Sequence, residues 1–243
     1  MKDVAFYGCS SLTEVSFPEA TSIGIQSFQS CNKLTSVLFP VATSIGNGAF
    51  YDCGKLTDVS IPNVESIGWN AFYQCSSLTE VSFPVATSIG NNAFYQCSSL
   101  TSISFPKVSS IGSGAFQSCS KLTEASFPLV TSIGSAAFEN CSGLTSVSFP
   151  VATSIGNGAF IGCSKLTEAS FPLVTSIGSA AFNGCSSLTT IYVGTESDTV
   201  CTLSSTNAIP SSVTDIYVPA SLVDSYKSAT NWSNYASKIK ATP

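Results

Sequence analysis

The sequence predicts a β-rich α/β solenoid of about ten 22-residue coils, with a parallel sheet along one side, short helical turns opposite and a helical cap at the C-terminal end. Two observations carry that class. The phrase FPVATSIGNGAF stands at 39–50 and again at 149–160, and variants of it fill most of the 243 residues. All sixteen phenylalanines occupy two positions of that repeat, the F of F-P and the F of A-F. Identical side chains recurring once per coil stack on one another, so the repeat predicts two aromatic columns along the axis. An array of this kind grows by stacking coils rather than by enlarging one core.

Each coil reads in order as L-T-x-V-S-F-P-x-x-T-S-I-G-x-x-A-F-x-x-C-x-x. The leucines fall at Leu12, Leu34, Leu56, Leu78, Leu100, Leu122, Leu144, Leu166 and Leu188. From leucine to phenylalanine, apolar and polar residues alternate, the period of a strand with one buried face. Proline then ends the strand because it cannot donate to a ladder. A second extended piece, T-S-I, meets a glycine, which predicts a turn that a Cβ would block. The x-x-A-F-x-x-C segment has room only for a helical turn or a 3₁₀ piece before the next strand. At ~4.8 Å between strands, ten coils make a rod about 45 Å long.

The two ends differ from the middle. VTDIYVP at 213–219 matches the strand phrase, so it predicts a tenth strand after an irregular loop. Beyond it Leu222, Val223, Tyr226, Trp232, Tyr235 and Ile239 recur at near-helical spacing, predicting one or two short helices that close the last coil, with Thr230 as a cap of the second. The division is therefore 1–193 for the repeat array and 194–243 for the irregular last coil and cap. At the other end Met1 falls where isoleucine belongs and Lys2 where glycine belongs, which predicts a chain starting in mid-repeat with an uncapped edge. The start does not read as a secretory leader, because Asp3 interrupts any apolar stretch.

Ten cysteines suggest disulfides or metal sites until their spacing is considered. Nine stand 22 residues apart, from Cys9 to Cys185, and only Cys201 is out of step. Neighbours in a parallel column lack the separation and orientation a disulfide requires, and no C-x-x-C pair supplies metal ligands. The nine are expected as buried free thiols packing as small apolar residues, and Cys201 as an exception.

Composition excludes other classes. Net charge is −5, all nine cations are lysine, and there is no histidine. Nucleic-acid binding calls for a basic, arginine-bearing surface. Mean hydropathy is +0.32, yet no apolar run approaches the ~18 residues of a membrane span. Without histidine no serine triad can form, and no catalytic motif is found. The chain reads as a non-enzyme without cofactor or metal.

The combination L-x-x-V-x-F-P, S-I-G and A-F-x-x-C-x-x-L across residues 4–193 resembles the BspA-like class of leucine-rich repeats. The ending IYVP…LVDSYKSATNWSNYASKI is similar to terminal caps of such arrays in gut bacteria and their phages. The resemblance implies an extracellular or cell-surface adhesive role, with a host or cell-surface protein or a glycan as partner. A phage-tail receptor-binding element and a self-stacking scaffold joined through the N-terminal edge are the alternatives.

Three surfaces are candidates. The strand face carries an acidic row, Glu14, Asp58, Glu80, Glu124 and Glu168, beside a row of serines. Two of these carboxylates could in principle flank a glycosidic bond, but solvated charges that keep a sheet soluble are the simpler account. An aromatic set, Tyr51, Trp69, Tyr73 and Tyr95, lies on the opposite side, with the three tyrosines expected to stack and Trp69 to flank Tyr73 across a helical turn. The third surface is the N-terminal edge.

Overall fold

The computed structural model describes residues 1–243. Each regular coil contributes two short parallel strands, as Ser36–Leu38 and Ser44–Ile45 do, and each pairs with its equivalent 22 residues away. In the first strand Val37 is buried and its flanking residues are not, as alternation requires. The two-residue strands form one unbroken nine-stranded sheet from Ser22–Ile23 to Thr202–Leu203. The longer strands form three successive sheets, with gaps after Asp58–Ser60 and after Glu124–Ser126. At the first gap Asp58 would face Glu80 across the ladder, and like charges directly opposite destabilise a strand pair. The second gap has no such conflict.

The interior is the repeat seen end-on. Rings of the A-F column stack at 5.1 Å between Phe72 and Phe94 and at 5.4 Å between Phe28 and Phe50. The F-P column stacks beside it at 5.5 Å between Phe17 and Phe39 and at 6.0 Å between Phe83 and Phe105. Ile61 interrupts this second column. The leucines from Leu34 to Leu188 are buried, whereas Leu12, in the end coil, is half-buried.

The expected helical turns opposite the sheet are instead runs of tight turns. Two residues per coil take left-handed backbone, such as Gln26 (φ 52°) and Ser30 (φ 60°). Their amides, and that of Phe28 between them, point along the axis and donate to the next coil: Gln26 N to Asn47 O at 2.9 Å, Phe28 N to Ala49 O at 2.8 Å and Ser30 N to Tyr51 O at 2.8 Å. Alternation of these bonds with local ones, such as Cys31 N to Phe28 O at 3.1 Å, keeps a helix from propagating. Helix occurs only in the cap. The S-I-G glycine also has a reason other than the one expected. Its φ is not left-handed; a Cβ on Gly112 would lie 2.6 Å from the carbonyl carbon of Gly90 in the preceding coil. Close approach between coils demands glycine there.

Eight of the nine column cysteines are buried and none is in a disulfide. Each buried column thiol donates to a phenylalanine carbonyl 25 residues earlier, as Cys53 Sγ does to Phe28 O at 3.0 Å. Cys9 departs from expectation: it is exposed because no coil covers it in the first turn. Cys201 departs the other way, being buried under the cap. Burial raises the thiol of Cys31 above its ordinary value, and those of Cys53, Cys75, Cys97 and Cys141 well above it. It pushes Cys119 and Cys201 up to about 12. Cys163 is raised too, first by its hydrogen bond with Cys185 and then by burial.

The cap completes both ladders. The tenth strand, Asp215–Val218, pairs with Thr190–Val193, and Ile239–Ala241 adds a further parallel strand outside it. Ile239 is thus in a strand rather than in the expected helix. Between the two lie a 3₁₀ turn at Ala220–Leu222, an α-helix at Val223–Ser228 and a 3₁₀ helix at Trp232–Lys238. Asn231, not Thr230, precedes the last of these, and it makes no side-chain cap. Its amide instead donates to Leu203 O at 2.6 Å, beside Trp232 Nε1 on Cys201 O at 2.6 Å and Cys201 N on the Tyr226 hydroxyl at 2.9 Å. The edge of the nine-stranded sheet therefore ends on side-chain partners.

The thiols generate a pH prediction. Below the ordinary value of 9.0 they are protonated in folded and unfolded chains alike, and their stabilising contribution is fully present. Above it the unfolded chain releases protons that the folded chain keeps, so stability falls as pH rises toward the raised folded values. Each such thiol contributes a slope of about 1.4 kcal/mol per pH unit. Melting temperature should fall steeply between pH 9 and 11, and a thiol reagent at neutral pH should label Cys9 alone until the chain is unfolded. A flat alkaline melting profile would contradict the buried column.

Candidate binding surfaces

On the strand face, Glu14, Asp58, Glu80, Glu124 and Glu168 each open a strand and each is exposed. Register places a serine between most of them: Glu14, Ser36 and Asp58 in one sheet, and Glu80, Ser102 and Glu124 in the next. Two residues further along each strand, Ser16, Ser60, Ser82, Ser104 and Ser126 form a parallel row on the same face. A shallow groove of about 610 Å³ runs here, lined by Asp58, Glu80, Ser102 and Glu124 among others, across the first ladder gap. The same column ends at Asp215, whose carboxyl lies below the usual carboxylate range through its hydrogen bonds from Lys240, first, and Thr214. The free negative charge is thus concentrated on the earlier coils.

The aromatic set divides. Tyr51, Tyr73 and Tyr95 do stack, with centroids 4.6 and 4.5 Å apart and planes within 3° and 11° of parallel. Burial in the stack, followed by the neighbouring hydroxyls, pushes the Tyr73 phenol up. Each ring thereby covers its neighbour's face, and all three are half-buried. Trp69 is not brought against Tyr73, because the intervening segment is a turn rather than a helix. It is 60% exposed and lies instead over Gly90 of the next coil.

A feature the sequence reading missed lies beside the tyrosines. Asp52, Gln74 and Gln96 directly follow them and, with Ser118 and Asn140, line a groove of about 670 Å³ on the turn side. Its signal was the position two residues after the A-F phenylalanine, which is glycine in some coils and polar in others. At the N-terminal edge, Val4 and Tyr7 are exposed, and Phe6, Leu12 and Phe17 only partly covered.

Parallel strands, stacked leucine and phenylalanine columns and a capped end define a leucine-rich-repeat solenoid. The chain belongs to the BspA-type family: the description "BspA type Leucine rich repeat region" matches in six copies, over residues 1–107 and 87–217. A leucine-rich cell surface protein from Faecalibacterium prausnitzii A2-165 is similar at 26% identity, covering 99% of this chain and 76% of that one, with a TM-score of 0.52. A leucine-rich repeat protein from Eubacterium ventriosum (20% identity, 88% and 81% covered, TM-score 0.55) and the pneumococcal vaccine antigen PcpA (16%, 96% and 68%, TM-score 0.56) share the fold. No curated protein matches significantly. No helix is long and apolar enough to cross a membrane.

The division of the aromatic set is testable by melting. Tyr73→Ala removes two ring stacks and should cost about 1–3 kcal/mol. Trp69→Ala, on an exposed ring without an aromatic partner, should stay within about 0.5 kcal/mol of the parent. Equal losses would show that Trp69 is part of the structural stack.

Proposed function

We propose that this chain is a non-catalytic recognition module of a bacterial cell-surface or secreted protein, and that its acidic strand face holds a basic segment of a partner protein. One observation carries the reading. The exposed carboxylates of Asp58, Glu80 and Glu124 line one groove with free serine hydroxyls two residues on, in coils whose structural hydrogen bonds lie elsewhere. Small polar residues leave the face accessible to an extended segment, and carboxylates select its charge. Membership of a family with a similar cell-surface protein supports an extracellular setting. The test is capture of immobilised matrix glycoproteins, such as fibronectin and laminin, by the purified chain. Binding should weaken as salt shortens the ~8 Å screening length of physiological buffer. Glu80→Lys/Glu124→Lys should abolish it without lowering the melting temperature. Absence of capture, or capture indifferent to this charge reversal, would refute the reading.

A second reading rests on the first coil, whose half-covered Phe6, Leu12 and Phe17 present the same columns that bury one another inside the array. Two copies stacked through this edge would cover that apolar surface. Sedimentation across a concentration series should then show a rise toward twice the monomer mass, with Phe6→Ser or Phe17→Ser suppressing it. A constant monomer mass would exclude it.

A further inference from the structure

The turn-side groove is a second site, distinct from the acidic strand face, and we propose that it binds a linear neutral oligosaccharide. Its walls are two rows running along the solenoid. One holds Asp52, Gln74, Gln96, Ser118 and Asn140, and the other holds the glycine or serine after each cysteine. No apolar and no basic side chain lines it, and Asp52, at one end, is its single charge.

The first row is unusual for its backbone. All five residues have left-handed φ, from 56° at Gln96 to 63° at Ser118. Of the coils beyond the groove, those of Gly8, Gly162 and Gly184 place glycine at the equivalent position, with φ of 69–76°, and that of Ser30 places serine, with φ of 60°. Glycine adopts this conformation freely, whereas a side chain there costs stability. Six successive coils, from Ser30 to Asn140, thus hold a side chain in this conformation, and five of the six side chains line the groove. The other left-handed position of each coil holds alanine at Ala136 and Ala180, so the use of this row lies in its polar side chains, which share one groove.

The chemistry on offer is neutral hydrogen bonding. Gln74 Nε2 donates to Gln96 Oε1 at 2.8 Å, which orients both amides and leaves the Gln96 amide nitrogen free. Some wall serines are engaged, as Ser76 is with Gly54 O at 3.3 Å, but the hydroxyls of Ser98, Ser118 and Ser120 have no protein partner. The central coils therefore present an unpaired amide and three unpaired hydroxyls, able to donate and accept, which suits a chain of sugar hydroxyls. A peptide fits less well. The amides along the row are consumed between coils (Asp52 N to Tyr73 O, Gln74 N to Tyr95 O and Gln96 N to Gln117 O, all 2.8 Å), so no strand edge is open for augmentation. Nor is there an apolar pocket to anchor a peptide side chain. The coil repeat of ~4.8 Å is close to the length of one hexose in an extended polysaccharide, so successive sugars would meet equivalent rows.

The test is titration of the full chain with cellohexaose, maltohexaose and laminarihexaose, followed by calorimetry and by NMR shifts. At least one hexasaccharide should bind with a Kd of about 1 mM or tighter, and about tenfold more tightly than its disaccharide. Gln74→Gly/Gln96→Gly is the decisive variant. It installs the residue that other coils already use, so the melting temperature should hold or rise while sugar affinity falls at least ~10-fold. Glu80→Lys/Glu124→Lys should leave sugar binding unchanged, which separates this site from the strand face. Lack of binding by all three hexasaccharides, or equal affinity in the double-glycine variant, would overturn the proposal.

Discussion

The structure depends on the hydrogen bond from one coil to the next. The repeating backbone amides, threonine hydroxyls and thiols are committed to it. Thr35 donates both its amide, at 2.8 Å, and its hydroxyl, at 3.0 Å, to Thr13 O, and Thr57 does the same to Thr35 O. Asn47, Asn91 and Asn157 each accept, through Oδ1, a backbone amide of the following coil at 2.9 Å. The thiols belong to the same system, since Phe28 O receives the Cys31 amide from its own coil and the Cys53 thiol from the next. A valine would fill that space but could not donate. The glycine column permits the close approach on which these bonds rely.

This explains where sequence variation is tolerated. Positions that hold one coil to its neighbour are nearly invariant along the chain. The first residue of each long strand alternates among Glu, Asp, Ser and Thr, and the residue after the A-F phenylalanine changes from Tyr to Gln, Glu, Ile and Asn. Both lie outside the network, so side chains there can be chosen for what they meet in solvent. The two grooves lie along such positions, and their linings differ in charge because different columns supply them.

Much of the architecture was legible because periodicity reports it directly. Spacing alone located the strands, the two phenylalanine columns, the unpaired thiols and the tenth strand. The failures were local. The x-x-A-F-x-x-C segment reads as a helical turn by length, but its left-handed residues are glutamine, asparagine and alanine as often as glycine, so no turn signal marks them. Trp69 was placed beside Tyr73 by that same helical spacing. Cys9 and Leu12 were read as ordinary members of their columns, because a repeat pattern does not show which coil lacks a neighbour. The turn-side groove was invisible for a related reason: its lining comes from five coils, and only their stacking brings the side chains together.

The joint between the coils of Asp58 and Glu80 gathers several weaknesses. The long-strand ladder is interrupted, two acids occupy facing positions, and Ile61 breaks a phenylalanine column. No bond from Thr79 reaches Thr57, although equivalent threonines are joined at Thr35–Thr57 and Thr101–Thr79. The continuous two-residue strands still cross it, through Ser66 pairing with Ser88. A solenoid loaded along its axis transmits force through each joint in series. With fewer bonds crossing it, this joint resists bending less than the joints on either side of it.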